Sequence, residues 1–126
     1  MSHDSYAIEV EAKPAFLDEQ SDPEQGRYVF AYHITIHNRG RKTARLMHRH
    51  WHITDGNGKI DEVHGEGVVG EQPVIAPGER FAYSSFAILE TPVGCMEGHY
   101  DMQAEDGTQF EAHIPLFSLA IPNMIQ

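Results

Sequence analysis

The amino-acid sequence predicts an all-β fold, a sandwich of two sheets built from about seven short strands. Apolar and polar residues alternate in several runs, most clearly in 28–38. Clusters of Gly, Pro, Asn and Asp separate these runs. No stretch repeats apolar residues at helical spacing for three turns. Because 126 residues is a usual length for one core, we assign residues 1–126 to a single domain.

The first two strands are predicted from alternation. Ile8, Val10 and Ala12 alternate with charged residues, which indicates a strand with one solvated face. In 28–38 the even-numbered positions carry aromatic and β-branched residues, which predicts a buried face. Between these strands, 18–26 combines acidic residues with Pro and Gly and has no apolar residue, so it is predicted to be a solvated loop.

The later strands are predicted as hairpins and one separate strand. A turn sequence, Asp55-Gly56-Asn57-Gly58, favours a tight reversal, and Glu105-Asp106-Gly107 favours another. This spacing of short strands and turns is typical of immunoglobulin-like and fibronectin type III-like sandwiches. The predicted strands are 44–55, 59–63, 80–89, 98–105 and 108–115.

Charge and cysteine content restrict the partners and the compartment. With 9 Lys and Arg against 19 Asp and Glu, the net charge is −10, which disfavours nucleic acid and anionic membrane surfaces. Cys95 is the only cysteine, so an intrachain disulfide is impossible. Neither a signal peptide nor a run of about 20 apolar residues is evident. We therefore expect a cytoplasmic protein that binds neither nucleic acid nor membrane.

A glycine motif is the first candidate binding feature. Gly65, Gly67 and Gly70 match GxGxxG, a pattern that brings backbone amides to a pyrophosphate at the start of a helix. Pro73 and Pro77 follow, so a helix is not expected here. Two readings stay open, namely a tightly turning structural loop and an anion-binding nest.

A basic cluster is the second candidate, because five of the nine basic residues lie within eleven positions. Arginine suits bidentate contacts with phosphate or with an acidic protein surface. A solubilising turn is the alternative reading. Arg49 alternates with histidines and shares the face of Trp51, where a charge needs a partner. The candidate anion-binding arginines are Arg39, Arg41, Arg45 and Arg49.

Histidines at alternate positions of the 44–55 strand are the third candidate. His48, His50 and His52 are expected to share one face, about 7 Å apart, and neutral imidazoles can ligate zinc, copper, cobalt or nickel. His33 and His37 could join them if the two strands pair. The alternative is a solvated histidine row opposite a core face formed by Met47, Trp51 and Ile53, with Trp51 packed between the sheets.

Catalysis is not expected. Cys95 lies in a sequence with no sign of an activated thiolate. Scattered carboxylates such as Asp101, Glu105 and Glu111 match solvated strand faces, and their spacing specifies no acid–base pair. We expect neither an enzyme nor a resident cofactor, other than a divalent cation under the metal hypothesis.

Three segments in order resemble the ApaG family, also called CorD-like: Arg49 to Asp55, Val63 to Pro73 and Leu89 to Gly94. The resemblance extends to Arg27-Tyr28-Val29-Phe30-Ala31-Tyr32 and to Ile114-Pro115-Leu116-Phe117. It implies a fibronectin type III-like sandwich, often a homodimer, that serves as a protein-interaction module. It also implies an association with cobalt and magnesium resistance or efflux, and with a diadenosine tetraphosphate hydrolase gene.

Three functional hypotheses follow. The first is a noncatalytic interaction module, dimeric in one version, that affects cation tolerance through a partner. The second is a binder of pyrophosphate or nucleotide polyphosphate through the glycine loop and the basic turn. The third is direct binding of a divalent metal such as cobalt by the histidine row.

Overall fold

The alternating segments form eight strands in the computed structural model, which describes residues 6–122. Two short 3₁₀ turns, Asp18–Gln20 and Pro23–Gln25, lie in the loop predicted between the first two strands. The strands are β1 (Ile8–Phe16), β2 (Tyr28–Asn38), β3 (Ala44–Asp55), β4 (Ile60–Glu66), β5 (Val74–Ile75), β6 (Arg80–Leu89), β7 (Val93–Ala104) and β8 (Gln109–Ala120).

The strands form two antiparallel sheets, so the predicted all-β sandwich is confirmed. One sheet has the order β1-β2-β6. The other has the order β4-β3-β7-β8, with β5 paired to the start of β3. The sequence prediction missed β5, because its two residues lie between Pro73 and Pro77. Among residues 6–122, no helix is long and apolar enough to cross a membrane.

The core lies between the two sheets and is made by inward-facing residues of every strand except β4, which has no buried residue. The even-numbered residues of β2 supply Phe30, Ile34 and Ile36, all with 0% exposure, as the alternation predicted. Trp51 of β3 is 2% exposed and packs edge-on against Tyr32, with ring centroids 5.3 Å apart. The expected position of Trp51 between the sheets is therefore confirmed.

A pair of tyrosines joins the sheets in the core. The hydroxyls of Tyr83 in β6 and Tyr100 in β7 lie 2.5 Å apart. Burial raises the pKa of both phenols far above the ordinary value. Each ring thus contributes apolar packing while its hydroxyl is satisfied inside the protein.

Asn38 connects the turn after β2, the strand β5 and the turn before β6, and it is 0% exposed. Its Nδ2 donates to the carbonyls of Lys42 and Ile75, each at 2.8 Å, and its Oδ1 accepts from the Gly40 amide at 2.9 Å. Its backbone carbonyl accepts from Gly78 at 2.7 Å. One buried amide therefore fixes the crossing from one sheet to the other.

A β-bulge at Met47 corrects the predicted core face of β3. The pairing of β3 with β7 shifts between Leu46 and His48, because Met47 is an extra residue on its strand. Leu46 is fully buried, whereas Met47 is half-buried and borders a cavity with His48 and Asp101. The prediction that Met47 shares the inward face of Trp51 was therefore wrong.

Candidate functional site

The outward face of the five-stranded sheet carries a row of histidines that crosses four strands. The strand pairing places His50 opposite His64 on β4 and opposite His99 on β7. His99 in turn lies opposite His113 on β8. The row therefore runs across the strands, perpendicular to the predicted row along β3.

Carboxylates form a parallel row beside the histidines. His48 lies opposite both Glu66 and Asp101, and Asp101 lies opposite Glu111. Because opposite residues in antiparallel strands have Cβ atoms about 5 Å apart, imidazoles and carboxylates meet on this face. The surface has the charge sign that attracts cations.

His50 is the centre of the contacts on this face. Its Nε2 lies 2.7 Å from Asp101 Oδ2, and its Nδ1 lies 2.9 Å from His64 Nδ1. The His50 and His99 rings stack, with centroids 4.4 Å apart and planes 17° apart. His99 Nε2 lies 3.4 Å from Asp101 Oδ1, so one carboxylate faces both imidazoles.

These contacts define the tautomer of His50. An ionised carboxylate only accepts hydrogen bonds, so His50 Nε2 carries the hydrogen that faces Asp101. In the neutral ring Nδ1 then accepts from the Nδ1–H of His64. Side-chain exposures of 27% for His50 and 30% for His99 leave the cluster half-buried and open on its outer side.

The three histidines predicted as ligands share the outward face, but their surroundings differ. His48 Nδ1 lies 3.9 Å from Asp101, at the edge of the cluster. His52 lies one row away and contacts Glu62 of β4 at 2.9 Å. Metal binding by this row remains a prediction. The condition for adding His33 and His37 is not met, because β2 belongs to the other sheet and does not pair with β3.

Sequence reasoning missed the cross-strand members of the cluster, His64, His99 and Asp101. His99 and Asp101 stand at alternate positions of the predicted strand 98–105, so the sequence could have shown that they share a face. His64 lies one residue beyond the predicted strand 59–63 and is in β4 of the structure. Their meeting depends on the pairing and register of β4, β3 and β7, which alternation alone does not specify.

The glycine loop turns tightly, and Arg49 supports it. Val68 and Glu71 exchange two backbone hydrogen bonds around Val69 and Gly70, which both have positive φ. The guanidinium of Arg49 donates to the carbonyls of Glu66, at 3.3 Å, and Gly67, at 2.9 Å. The sequence predicted that the inward charge of Arg49 needs a partner, and in the structure that partner is the backbone of the glycine loop.

Gly65 lies directly against the guanidinium of Arg49. A Cβ on Gly65 would lie 2.5 Å from the Cζ of Arg49, so a side chain there would displace the guanidinium. Gly67 has φ of 64°, and a Cβ there would overlap the carbonyl of Glu71. Steric contacts within the protein therefore account for both glycines without a bound phosphate.

The other candidate anion-binding arginines make no hydrogen bond to the glycine loop within residues 6–122. Arg39 is in the turn after β2 and contacts Glu9 at 3.2 Å. Arg41 is in the same turn. Arg45 pairs with Val74 of β5 and lies on the other side of the Met47 bulge from Arg49. Anion binding by the full set remains a prediction, and Arg49 is the member with hydrogen bonds to the glycine loop.

Comparison with known proteins places this chain in a family. The model of the ApaG domain matches residues 18–104. The chain belongs to the ApaG domain family. It is 58% identical over 122 residues to Protein ApaG from Aromatoleum aromaticum, covering 97% of this chain and 96% of that one. Protein ApaG from Stenotrophomonas maltophilia is also 58% identical over 122 residues, with the same coverage.

A solved structure supports the same assignment. The putative ApaA protein from Bordetella pertussis superposes with a TM-score of 0.92 at 48% identity. The match covers 94% of this chain and 97% of that one. The predicted resemblance to the ApaG family is therefore confirmed. The residues matched by the ApaG model include the glycine loop and the cluster of His50, His99 and Asp101.

The ApaG domain has a second surface of interest at the free edge of β6. Among residues 6–122, β6 pairs only with β2, and that pairing is regular from Arg80 to Leu89. Phe86 is 61% exposed and Ile88 is 54% exposed on its outward side. This edge therefore offers unpaired backbone groups beside apolar side chains.

The other sheet edges contain features that oppose strand pairing. The edge strand β1 contains Pro14, which has no backbone N–H to donate, and Pro115 lies in β8 beside a bulge. The seven residues of β4 include three carboxylates. In β6 the only charge is Arg80, its first residue. Among the longer edge strands described in residues 6–122, which are β1, β4, β6 and β8, β6 is the one without such protection.

Proposed function

We propose that this chain is a noncatalytic binding domain that receives an extended segment of a protein partner along β6. The free, regular edge of ten residues with exposed Phe86 and Ile88 supports this role. Strand addition obtains affinity from backbone hydrogen bonds and specificity from pockets for alternate side chains. The partner segment is expected to be extended and apolar on the side that meets Phe86.

This role accounts for the family-level expectations without catalysis. A cytoplasmic location is part of the proposal and agrees with a single cysteine, which precludes an intrachain disulfide. An effect on cobalt or magnesium tolerance would then be exerted through the protein bound at β6. The pyrophosphate hypothesis is less favoured, because Arg49 already donates to two carbonyls.

The proposal is tested by placing lysines on the edge. In Phe86→Lys/Ile88→Lys, two charges occupy the apolar side of β6, as natural edge strands use them to prevent pairing. The matched control is Ile60→Lys/Leu116→Lys, because these residues are 59% and 56% exposed on other strands. A partner should be captured from lysate by the wild type and the control and lost with the β6 variant.

Hydrogen exchange then locates the contact. We expect the captured partner, once purified, to protect the amides of β6 more than those of β4. Equal capture by all three proteins, or unchanged exchange in β6, would refute the proposal. A homodimer seen by light scattering and abolished only by the β6 lysines would make the occupant a second copy, which would also overturn the partner assignment.

A further inference from the structure

We infer that His50, His99 and Asp101 form a binding site for one zinc-class divalent cation on the outward face of the five-stranded sheet. One ligand atom from each of these residues can be chosen so that all three lie within 4.8 Å of one another. The residues come from β3 and β7, which are neighbours in the sheet. The site thus differs from the row along β3 that spacing predicted, and it is independent of the β6 edge.

The donor set fits this class of metal. Imidazole nitrogen and carboxylate oxygen are common zinc ligands, with bonds of about 2.0–2.2 Å. Tetrahedral ligands at that bond length lie about 3.4 Å from one another. Asp101 Oδ2 already lies 2.7 Å from His50 Nε2, and Asp101 Oδ1 lies 3.4 Å from His99 Nε2. The change needed is therefore a tilt of two stacked rings, so that both Nε2 lone pairs converge.

The surroundings orient and attract the cation. His50 Nδ1 lies 2.9 Å from His64 Nδ1, so a tautomer exchange lets His50 donate to His64 while its Nε2 binds metal. Metal-binding histidines usually have such a partner on the other nitrogen. Glu111 Oε2 lies 3.6 Å from His99 Nε2 and adds negative charge. The open outer side leaves a fourth position for water.

Zinc titration of the untagged full chain tests the site. We expect one equivalent to bind by calorimetry, and His99→Gln and Asp101→Asn each to weaken the affinity about ten-fold or more, because each removes a ligand. His52→Gln and His113→Gln are matched controls on the same face and should change the affinity less than about three-fold. Thermal unfolding of each variant without metal checks that its Tm, and so its fold, matches that of the wild type.

Ring nitrogen shifts in NMR give a second readout. Zinc should shift Nε2 of His50 and His99 and leave His52 and His113 nearly unchanged. The inference fails if one equivalent of zinc gives no binding or if His99→Gln and Asp101→Asn bind like the wild type. It also fails if His52→Gln removes binding, since that result assigns the metal to the row along β3.

Discussion

Replacing Asn38 by Asp should destabilise the domain severely, although the two side chains have the same shape. The wild-type amide donates to the carbonyls of Lys42 and Ile75, and a carboxylate cannot. Two lost hydrogen bonds cost about 1 kcal/mol each, and the carbonyls left unpaired beside a buried carboxylate add about 1–3 kcal/mol. The expected loss is therefore about 3–5 kcal/mol of unfolding free energy, a large part of a typical total.

The effect should depend on pH in a defined direction. Burial raises the pKa of a carboxyl at position 38 above its unfolded value of about 3.9. The deficit relative to wild type is then smallest below about pH 4 and grows as the pH rises through the folded pKa. Thermal unfolding at pH 7.5 should show a decrease in Tm of about 10–20 °C, with a smaller gap at pH 4.5.

A matched substitution isolates the buried position. Asn57 lies in the exposed turn between β3 and β4. The substitution Asn57→Asp should therefore change the Tm by no more than about 2 °C. If Asn38→Asp melts within about 3 °C of wild type at pH 7.5, the buried amide does not hold the crossing as described. A gap that does not widen between pH 4.5 and 7.5 would contradict the burial of the carboxylate.

Three further outcomes are expected. Because the pKa of Tyr83 and Tyr100 is raised in the folded protein, these phenols ionise first in the unfolded chain. Their contribution to the unfolding free energy should therefore be fully present below about pH 10 and fall as the pH rises above it. Tyr83→Phe/Tyr100→Phe should flatten this loss in urea unfolding between pH 9 and 11, and an unchanged slope would contradict it. Arg49→Gln should lower the unfolding free energy by about 1–3 kcal/mol, because two carbonyls lose their donor. Calorimetry of the wild type with millimolar pyrophosphate should give no heat, and heat abolished by Arg49→Gln would establish an anion site.

Alternation was sufficient to predict most strands and both tight hairpins. Phe30, Ile34 and Ile36 are buried as their period-two spacing indicates. The turn at Asp55 forms because its Oδ1 accepts from the amides of Asn57 and Lys59. These features depend on neighbours in sequence, which is why they could be predicted from sequence alone.

The misses concern long-range pairing. The strand predicted at 98–105 begins at Val93 in the structure. The residues that the prediction missed include Gly94, which lies against the carbonyl of Thr54 in the paired strand β3. A glycine that permits close approach of two backbones looks like a break when the partner strand is unknown. The last strand was also predicted to end at 115 and continues to Ala120 past the bulge at Pro115.

The candidate cation site shows the same division. Alternation correctly placed His50 on an outward face, but His99 and Asp101 lie about fifty residues away in sequence. Only the register of β3 with β7 brings them together. Which histidines meet is thus a property of strand pairing, which residue spacing within one strand does not contain.

The extra residue at Met47 has a consequence for insertions and deletions in this strand. Leu46 pairs with Met102 and His48 with Asp101, so the ladder would be continuous if Met47 were absent. Its carbonyl accepts from Gly67 N at 2.9 Å and from Gln72 Nε2 at 3.0 Å. Deleting Met47 would thus leave all the remaining side chains of β3 on their present sides of the sheet. The glycine loop would lose the carbonyl that accepts hydrogen bonds from Gly67 and Gln72.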